Sequence, residues 1–138
     1  MDWKGALRAR LVADSAVSDL VWKDGSRPAI YWVERPQTDG LPALTLQTVT
    51  GDRPQHMGGF IGMDQATVQI DTWADTYAAA DALMEAAIAA LIPEQSGNGI
   101  KFSRAFLSGE PQDLGEQTAT KFVHRKQVDL VFHHSTTA

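Results

Sequence analysis

The stretch from Ala66 to Leu91 constrains the fold most, because its hydrophobic pattern changes from a strand period to a helix period without a break. In its first half, Ala66, Val68 and Ile70 alternate with more polar residues, which predicts a strand with one packed face. From Tyr77 onward the apolar residues recur at helical spacing. The predicted buried stripe consists of Tyr77, Ala80, Met84, Ala87, Ile88 and Leu91, with Leu83 at its edge. One strand that leads into one amphipathic helix is therefore the centre of the predicted fold.

Residues at both ends of this helix support its bounds. Asp75 or Thr76 can act as the N-cap, since either side chain can accept a hydrogen bond from a first-turn amide. Pro93 ends the helix, because proline has no amide proton and disfavours helical geometry in the residue before it.

The flanking segments add the remaining elements of the predicted domain. A helix is expected over Trp3–Ala13, with a short continuation to Val21 that Asp14 or Ser15 can cap. The predicted strands are Ala29–Arg35, Ala43–Thr50, Ala66–Trp73, Ile100–Leu107 and Thr120–His133. These elements predict a single α+β domain over residues 1–138, with a mostly antiparallel sheet of about five strands and two helices packed on one face.

The sequence makes four further predictions about this arrangement. The strands over 29–35 and 43–50 are expected to pair as an antiparallel hairpin, and Gly109 to Thr118 is expected to be a polar connector. Alternation places Phe102 and Phe106 on one face of their strand. The same pattern places Phe122 with Val128, Leu130 and Phe132 on one face of the last strand.

Composition excludes several classes of function. The chain of 138 residues has no cysteine, so disulfides, thiol nucleophiles and cysteine-ligated zinc are excluded. A formal net charge of -5 argues against nucleic-acid binding through a broad basic surface. Charged residues interrupt every apolar run near the start, and no run approaches the roughly 20 residues of a membrane helix. We therefore expect a protein made in a cytoplasm-like compartment, with no membrane partner.

The residue types that carry catalysis or bind metals lack the usual spacings. His56, His124, His133 and His134 include no helical i, i+4 pair, and the adjacent His133 and His134 should point to opposite faces of a strand. Asp71 and Asp75 are a candidate acid–base pair, but a strand end separates them and Asp75 can already serve as a cap. No GxSxG motif occurs. We therefore expect no catalytic residues, no metal ligands and no cofactor.

A glycine-rich segment before the central strand is the first candidate contact site for another protein. The connector Gly51–Asp64 is long, and loops of this length are typically functional or mobile. Its candidate contact residues are His56, Met57, Gly58, Gly59, Phe60, Ile61 and Met63. Four of these are large apolar residues that a solitary domain would bury with difficulty in a loop. The alternative is that the segment folds back over the open face of the sheet.

The outer face of the central helix is the second candidate contact site. Ala78, Ala82, Ala86 and Ala89 occupy positions where a solvated helix usually carries Lys, Glu or Gln. A smooth face of small residues suits close packing against a neighbouring subunit. Alanine also simply favours helix, which is the competing interpretation.

Several of these segments together resemble a known family. The chain is similar to the small tail completion or tail terminator proteins of tailed bacteriophages, which also occur in gene transfer agents. The similarity lies in the loop His56–Gly59 that ends at Gly62-Met63, the strand Val68–Ala74 and the helix opening Tyr77–Leu83. The first helix, followed by Ala13–Val17, is also similar to the usual start of the family.

This resemblance implies an architectural role without catalysis or cofactor. It implies a homo-oligomeric ring, commonly a hexamer, that caps the head-proximal end of the tail tube and ends its growth. The implied partners are the tail tube protein and the head connector or stopper protein, with DNA only as passing cargo. The implied location is the virion, in the tail at the head–tail interface. Two alternatives stay open: another head–tail adaptor or tail-tube protein, and an unrelated small ligand-binding domain or enzyme.

Overall fold

The structure is a computed structural model that describes residues 3–33, 40–52, 55–56, 59–60, 64–97, 99–117 and 122–136. The helices of this part of the chain are α1 (Trp3–Ala13), α2 (Ser15–Leu20) and α3 (Tyr77–Leu91). Its strands are β1 (Lys23–Asp24), β2 (Arg27–Pro28), β3 (Ile30–Trp32), β4 (Ala43–Asp52), β5 (Gln55–His56), β6 (Gly59–Phe60), β7 (Asp64–Ala74), β8 (Gln95–Gly97), β9 (Ile100–Phe102), β10 (Phe106–Leu107), β11 (Gln112–Gln117) and β12 (Phe122–Thr136). None of these helices is long and apolar enough to cross a membrane.

The main sheet is larger than the sequence predicts. It has eight strands in the order β3-β4-β7-β12-β9-β8, and β10 and β11 also pair with β12. With 15 residues, β12 is long enough to pair with β7 along one edge and with β11, β10 and β9 in succession along the other. The α+β class is thus confirmed, whereas the counts of about five strands and two helices are wrong.

The pairing of β3 with β4 is parallel, which makes the predicted antiparallel hairpin wrong. Ile30 lies beside Leu44, and Trp32 lies beside Leu46. β3 has only three residues and is about 10 Å long. The sheet is therefore mixed, with antiparallel pairing at its centre between β4, β7 and β12.

The hydrophobic core lies between one face of this sheet and the helices. Cross-strand pairing aligns Leu46, Ile70 and Val128 in one row and Val68 with Leu130 in the next. All three helices contribute to the same core cluster, in which α3 packs on β7 and β12 while α1 and α2 pack on α3.

The buried face of α3 is rotated from the predicted one. Its buried residues are Ala80, Leu83, Met84, Ala87 and Leu91. Leu83, placed at the edge by the sequence, is fully buried, whereas Tyr77 is 49% exposed and Ile88 is only partly buried. The first turn of α3 therefore lies at the rim of the core, and its aromatic ring is available to the surface.

Side-chain caps fix the helix starts as predicted. The Asp14 carboxylate accepts a hydrogen bond from the Val17 amide, and α2 is a separate helix that begins at Ser15. The Thr76 hydroxyl accepts from the Ala79 amide and caps α3.

Candidate functional site

The exposed face of α3 is a strip of small residues. Ala78, Ala82 and Ala89 are exposed, and Glu85 is the one charged residue among the five exposed positions of this helix. Ala86, predicted to lie on the same contact face, is half-buried and packs against the core cluster. From Ala78 to Ala89 the strip is about 16 Å long at 1.5 Å per residue. We call the residues Ala78, Ala82, Glu85 and Ala89 the alanine strip.

Three aromatic rings lie together at the start of α3. Tyr77 and Phe122 are 49% and 45% exposed, and each ring packs edge-on against His124, at centroid distances of 6.4 Å and 4.9 Å. Beneath them Gly115 pairs with His124 across β11 and β12. A Cβ atom at Gly115 would lie 2.0 Å from the Phe122 ring, so glycine is needed for this ring position. We call Tyr77, Phe122 and His124 the aromatic cluster.

The aromatic cluster is not predicted by the sequence pattern, because the strand and helix periods place Phe122 and Tyr77 in the core. Phe122 shares the parity of Val128, Leu130 and Phe132, as predicted, but α3 begins too late to cover it. The lengths of the two elements could have predicted this exposure. A strand rises about 3.3 Å per residue and a helix 1.5 Å, so α3 is too short to cover all of β12, and apolar residues at the start of β12 stay exposed.

A buried lysine fixes this end of α3 to the sheet. Lys126 is 7% exposed, and its Nζ lies 2.7 Å from an Asp81 carboxylate oxygen, 3.3 Å from one of Asp113 and 3.4 Å from the Tyr77 hydroxyl. The hydrogen bond to Asp81, aided by those to Asp113 and Tyr77, raises the pKa of Lys126 despite its burial. Lys126 on β12 thereby links α3 to β11, and its contact with the Tyr77 hydroxyl helps to hold the aromatic cluster in place.

The glycine-rich segment is described only in part. β5 and β6 form a separate two-stranded antiparallel sheet, in which Gln55 pairs with Phe60 and His56 with Gly59. In the order of the chain they come after β4 and before β7. His56, Gly59 and Phe60 thus belong to short strands by their backbone. Met57, Gly58, Ile61 and Met63 lie outside the described residues. The predicted contact role of this segment stays a prediction.

Asp71, one of the two candidate carboxylates, belongs to a polar network on the sheet face away from the helices. Asp71 is 6% exposed and forms a 2.9 Å ion pair with Arg125, whose guanidinium stacks 4.8 Å from the Trp73 ring. Gln69 also donates to Asp71. Asp75, by contrast, is exposed in the turn before α3. Asp71 therefore has a structural ion-pair partner in Arg125, whereas Asp75 lies beyond the end of β7.

The adjacent histidines His133 and His134 lie in different surroundings. His133 contacts Phe106, whereas His134 is buried and stacks on Trp3 with ring centroids 4.8 Å apart, which confirms that adjacent residues point to opposite faces. Within the described ranges there is no group of three His, Cys, Asp or Glu residues that could hold a metal ion.

The sequence matches a known protein family over most of its length. The family described as Tail completion protein gp17 matches residues 5–133, which is most of the chain. The chain belongs to this family. No match is found among curated protein sequences. A similar solved structure is a chain of the "Virion of native gene transfer agent (GTA) particle", with a TM-score of 0.66, 16% identity, and coverage of 99% of this chain and 95% of that one.

These comparisons confirm the family resemblance drawn from the sequence. The likeness to the gene transfer agent chain is a likeness of fold, since the identity is only 16%. Membership of the tail completion family makes the chain a structural tail protein of a virion. The candidate functional surfaces are accordingly those that can contact other protein subunits, namely the alanine strip and the aromatic cluster.

Proposed function

We propose that this protein forms a ring at the head-proximal end of a tail tube, stops tube growth and joins the tail to the head connector. The observation that carries the proposal is the match to the tail completion family over residues 5–133. The ring is formed by about six copies, and it acts without catalysis and without a cofactor. Residues 1–138 act as one domain in each copy.

The surface of α3 supports a contact within such a ring. The three alanines of the strip let a neighbouring backbone approach closely, because their side chains are single methyl groups, and Glu85 is the one long side chain among them. The aromatic cluster beside it supplies exposed rings, which are enriched at the centre of protein interfaces. A ring closed by head-to-tail contacts needs two different surfaces on each subunit, and these neighbouring features form the first of them. In the glycine-rich segment, Met57, Phe60, Ile61 and Met63 extend contacts to the tube or the connector.

The mechanism of termination is a difference between the two faces of the ring. One face complements the last ring of the tube, and the other lacks the tube's own polymerising surface and receives the connector instead. DNA passes through the lumen as cargo. A net charge of -5 is compatible with this passage, because the 17 acidic residues outnumber the 12 basic ones that could hold phosphates.

The mass of the purified protein, measured by native mass spectrometry and by sedimentation, tests the ring. We expect particles of about six subunits for the wild type, and dissociation to smaller species for Ala82→Arg, which places a long charged side chain on the alanine strip. Ala16→Arg is the matched control, because Ala16 is exposed on α2. If both variants assemble like the wild type, the alanine strip is merely a solvated face.

Electron microscopy distinguishes the proposed ring from a tube protein of the same kind of particle. A terminator gives single rings at all concentrations, whereas a tube protein gives long tubes. Deletion of the gene should yield particles with overlong or unjoined tails. Normal infectious particles from the deletion strain would refute the termination role.

A further inference from the structure

The outer edge of β11 is unpaired in the described part of the chain. β11 pairs with β12 alone, so every second backbone amide and carbonyl of β11 points away from β12 and is open to another strand. Its six pairs with β12 follow one another without a bulge, and it contains neither lysine nor proline. β11 therefore lacks three of the devices by which soluble proteins prevent another strand from adding to an edge.

Exposed apolar residues flank this edge on both faces of the sheet. On the face away from the helices, Leu114 is 38% exposed beside Arg125, and Phe106 is 57% exposed. On the helix face, Tyr77 and Phe122 are the exposed rings of the aromatic cluster. Because the side chains of a strand alternate between the two faces, an added strand would contact both groups, whereas a helix would contact only one. The edge therefore suits an extended segment.

A second element of the same chain lacks a partner strand. β5 and β6 form a separate two-stranded sheet and pair with no other strand among the described residues. A two-stranded sheet is at best marginally stable alone, and a third strand stabilises it. Residues 54–63, which contain both strands, include no aspartate or glutamate, so they bring no like charge to Asp113 and Glu116 of β11. The other separate pair, β1 with β2, contains Asp24 and Pro28 and suits this edge less well.

The geometry points to a contact between copies: we propose that the β5–β6 hairpin of one copy adds to the free β11 edge of the neighbouring copy. This inference rests on the proposed ring and names the second surface of its subunit contact. One strand of the hairpin pairs with β11, beside the aromatic cluster. The other strand stays available for the tube or the connector.

The two elements lie at opposite ends of β7, which favours a neighbouring copy over the same chain. The segment that contains β5 and β6 leaves the sheet at Asp52, which pairs with Gln65. β11 lies level with Thr72, because Lys126 pairs with both Thr72 and Asp113. Seven residues of β7 separate Gln65 from Thr72, a distance of about 23 Å at 3.3 Å per residue. Two different surfaces at opposite ends of a subunit are what a head-to-tail contact requires.

Leu114→Lys tests the edge, because lysine is a residue with which natural proteins protect edge strands. We expect this variant to weaken ring assembly about tenfold or more, since it removes an apolar contact and places a charge beside the added strand. Leu20→Lys is the matched control, because Leu20 lies on α2 and is 37% exposed, against 38% for Leu114. Native mass spectrometry and sedimentation measure assembly, and urea unfolding shows whether the two variants are equally stable.

Crosslinking identifies the occupant of the edge. The chain has no cysteine, so a single one can be introduced in each element, with Gln112→Cys on β11 and Gln55→Cys on β5. A short bismaleimide should join these two variants to each other in a mixture, and it should join neither variant to itself. Ala16→Cys, at an exposed position of α2, is the control that should join to neither.

The outcomes separate this contact from the ring itself. If rings form, but Leu114→Lys assembles like Leu20→Lys or the mixture gives no crosslinked dimer, the proposal is overturned while the ring stands. Crosslinking of Gln112→Cys to itself would show that two β11 edges pair, and it also overturns the proposal. If the wild type forms no rings, the proposed function fails, and the mixture decides the contact: crosslinked dimers of Gln112→Cys with Gln55→Cys support it, and their absence overturns it.

Discussion

Lys126→Met is the perturbation whose effect the structure specifies best. The Lys126 side chain is 9% exposed, while those of its partners Asp81 and Asp113 are 42% and 63% exposed. Methionine keeps most of the apolar stem and removes the charge, so packing against α3 is largely retained. The variant therefore reports on the ion pairs that join α3, β11 and β12.

The expected magnitude follows from the burial of each partner. A hydrogen bond to a charged group contributes about 1.5–3 kcal/mol, whereas an ion pair between exposed groups contributes about 0.2–1 kcal/mol. Because Lys126 is buried and Asp81 and Asp113 can regain water when left alone, we expect a total loss of about 2 kcal/mol. Unfolding entropy near 2.1 cal/mol/K per residue converts this loss to a decrease in Tm of about 7 °C for a chain of 138 residues.

Urea unfolding and calorimetry at neutral pH measure this loss, with Lys101→Met as the exposed control. A double-mutant cycle with Asp81→Asn should give a coupling energy of about 1–2 kcal/mol. The loss in the double variant should be smaller than the sum of the two single losses, because each single variant already breaks the 2.7 Å pair. Because the folded-state pKa of Lys126 is raised above the usual value of about 10.4, its stabilisation is fully present below that pH and is lost as the pH rises above it. Equal stability of Lys126→Met and Lys101→Met would refute this account of the anchor.

Three further substitutions test separate parts of the described structure by urea unfolding. Gly115→Ala should cost about 1 kcal/mol, because its Cβ would overlap the Phe122 ring, and this cost should disappear in a Phe122→Ala background. Thr76→Ala should cost about 1 kcal/mol through loss of the cap of α3, whereas Thr76→Ser should cost little; equal losses would contradict the capping role. Arg125→Met should cost about 2 kcal/mol, because it leaves the Asp71 carboxylate buried without its ion pair, and adding Asp71→Asn should recover part of the loss.

The helices and their caps could be predicted because the information is local. Asp14 and Thr76 each bond an amide three residues ahead, and the stripe around Met84 repeats within one helix. The strand around Ile70 was predictable for the same reason, since alternation determines which side chains share a face.

Strand partners and strand direction could not be predicted in this way. Alternation is identical for parallel and antiparallel pairing, so the residues of β3 carry no sign of their parallel partner Leu44. β11, predicted to be a polar connector, contains aspartate, glycine and glutamate, which are depleted in strands. It is a strand because β12 is long enough to offer it a free edge. Phe106 was placed with Phe102, but the strand breaks at residues 103–105, so Ala105 is buried and Phe106 is 57% exposed.

The candidate contact surfaces follow the same division between local and distant information. The alanine strip was visible in the sequence, because its residues are spaced along one helix. The aromatic cluster was not, because it is assembled from elements distant in the chain, where β12 meets the start of α3.

The alanine strip and the aromatic cluster share α3 as a common support. The helix binds the core through the face that contains Leu83 and Met84, so its outer face remains exposed. Lys126 fixes the first end to β11 and β12, and Arg10 fixes the last end to α1. Because both ends of α3 are held in this way, a displacement of one end is passed along the helix to the other. In a closed ring, this rigidity would set the angle between successive copies, and hence the number of copies at which the ring closes.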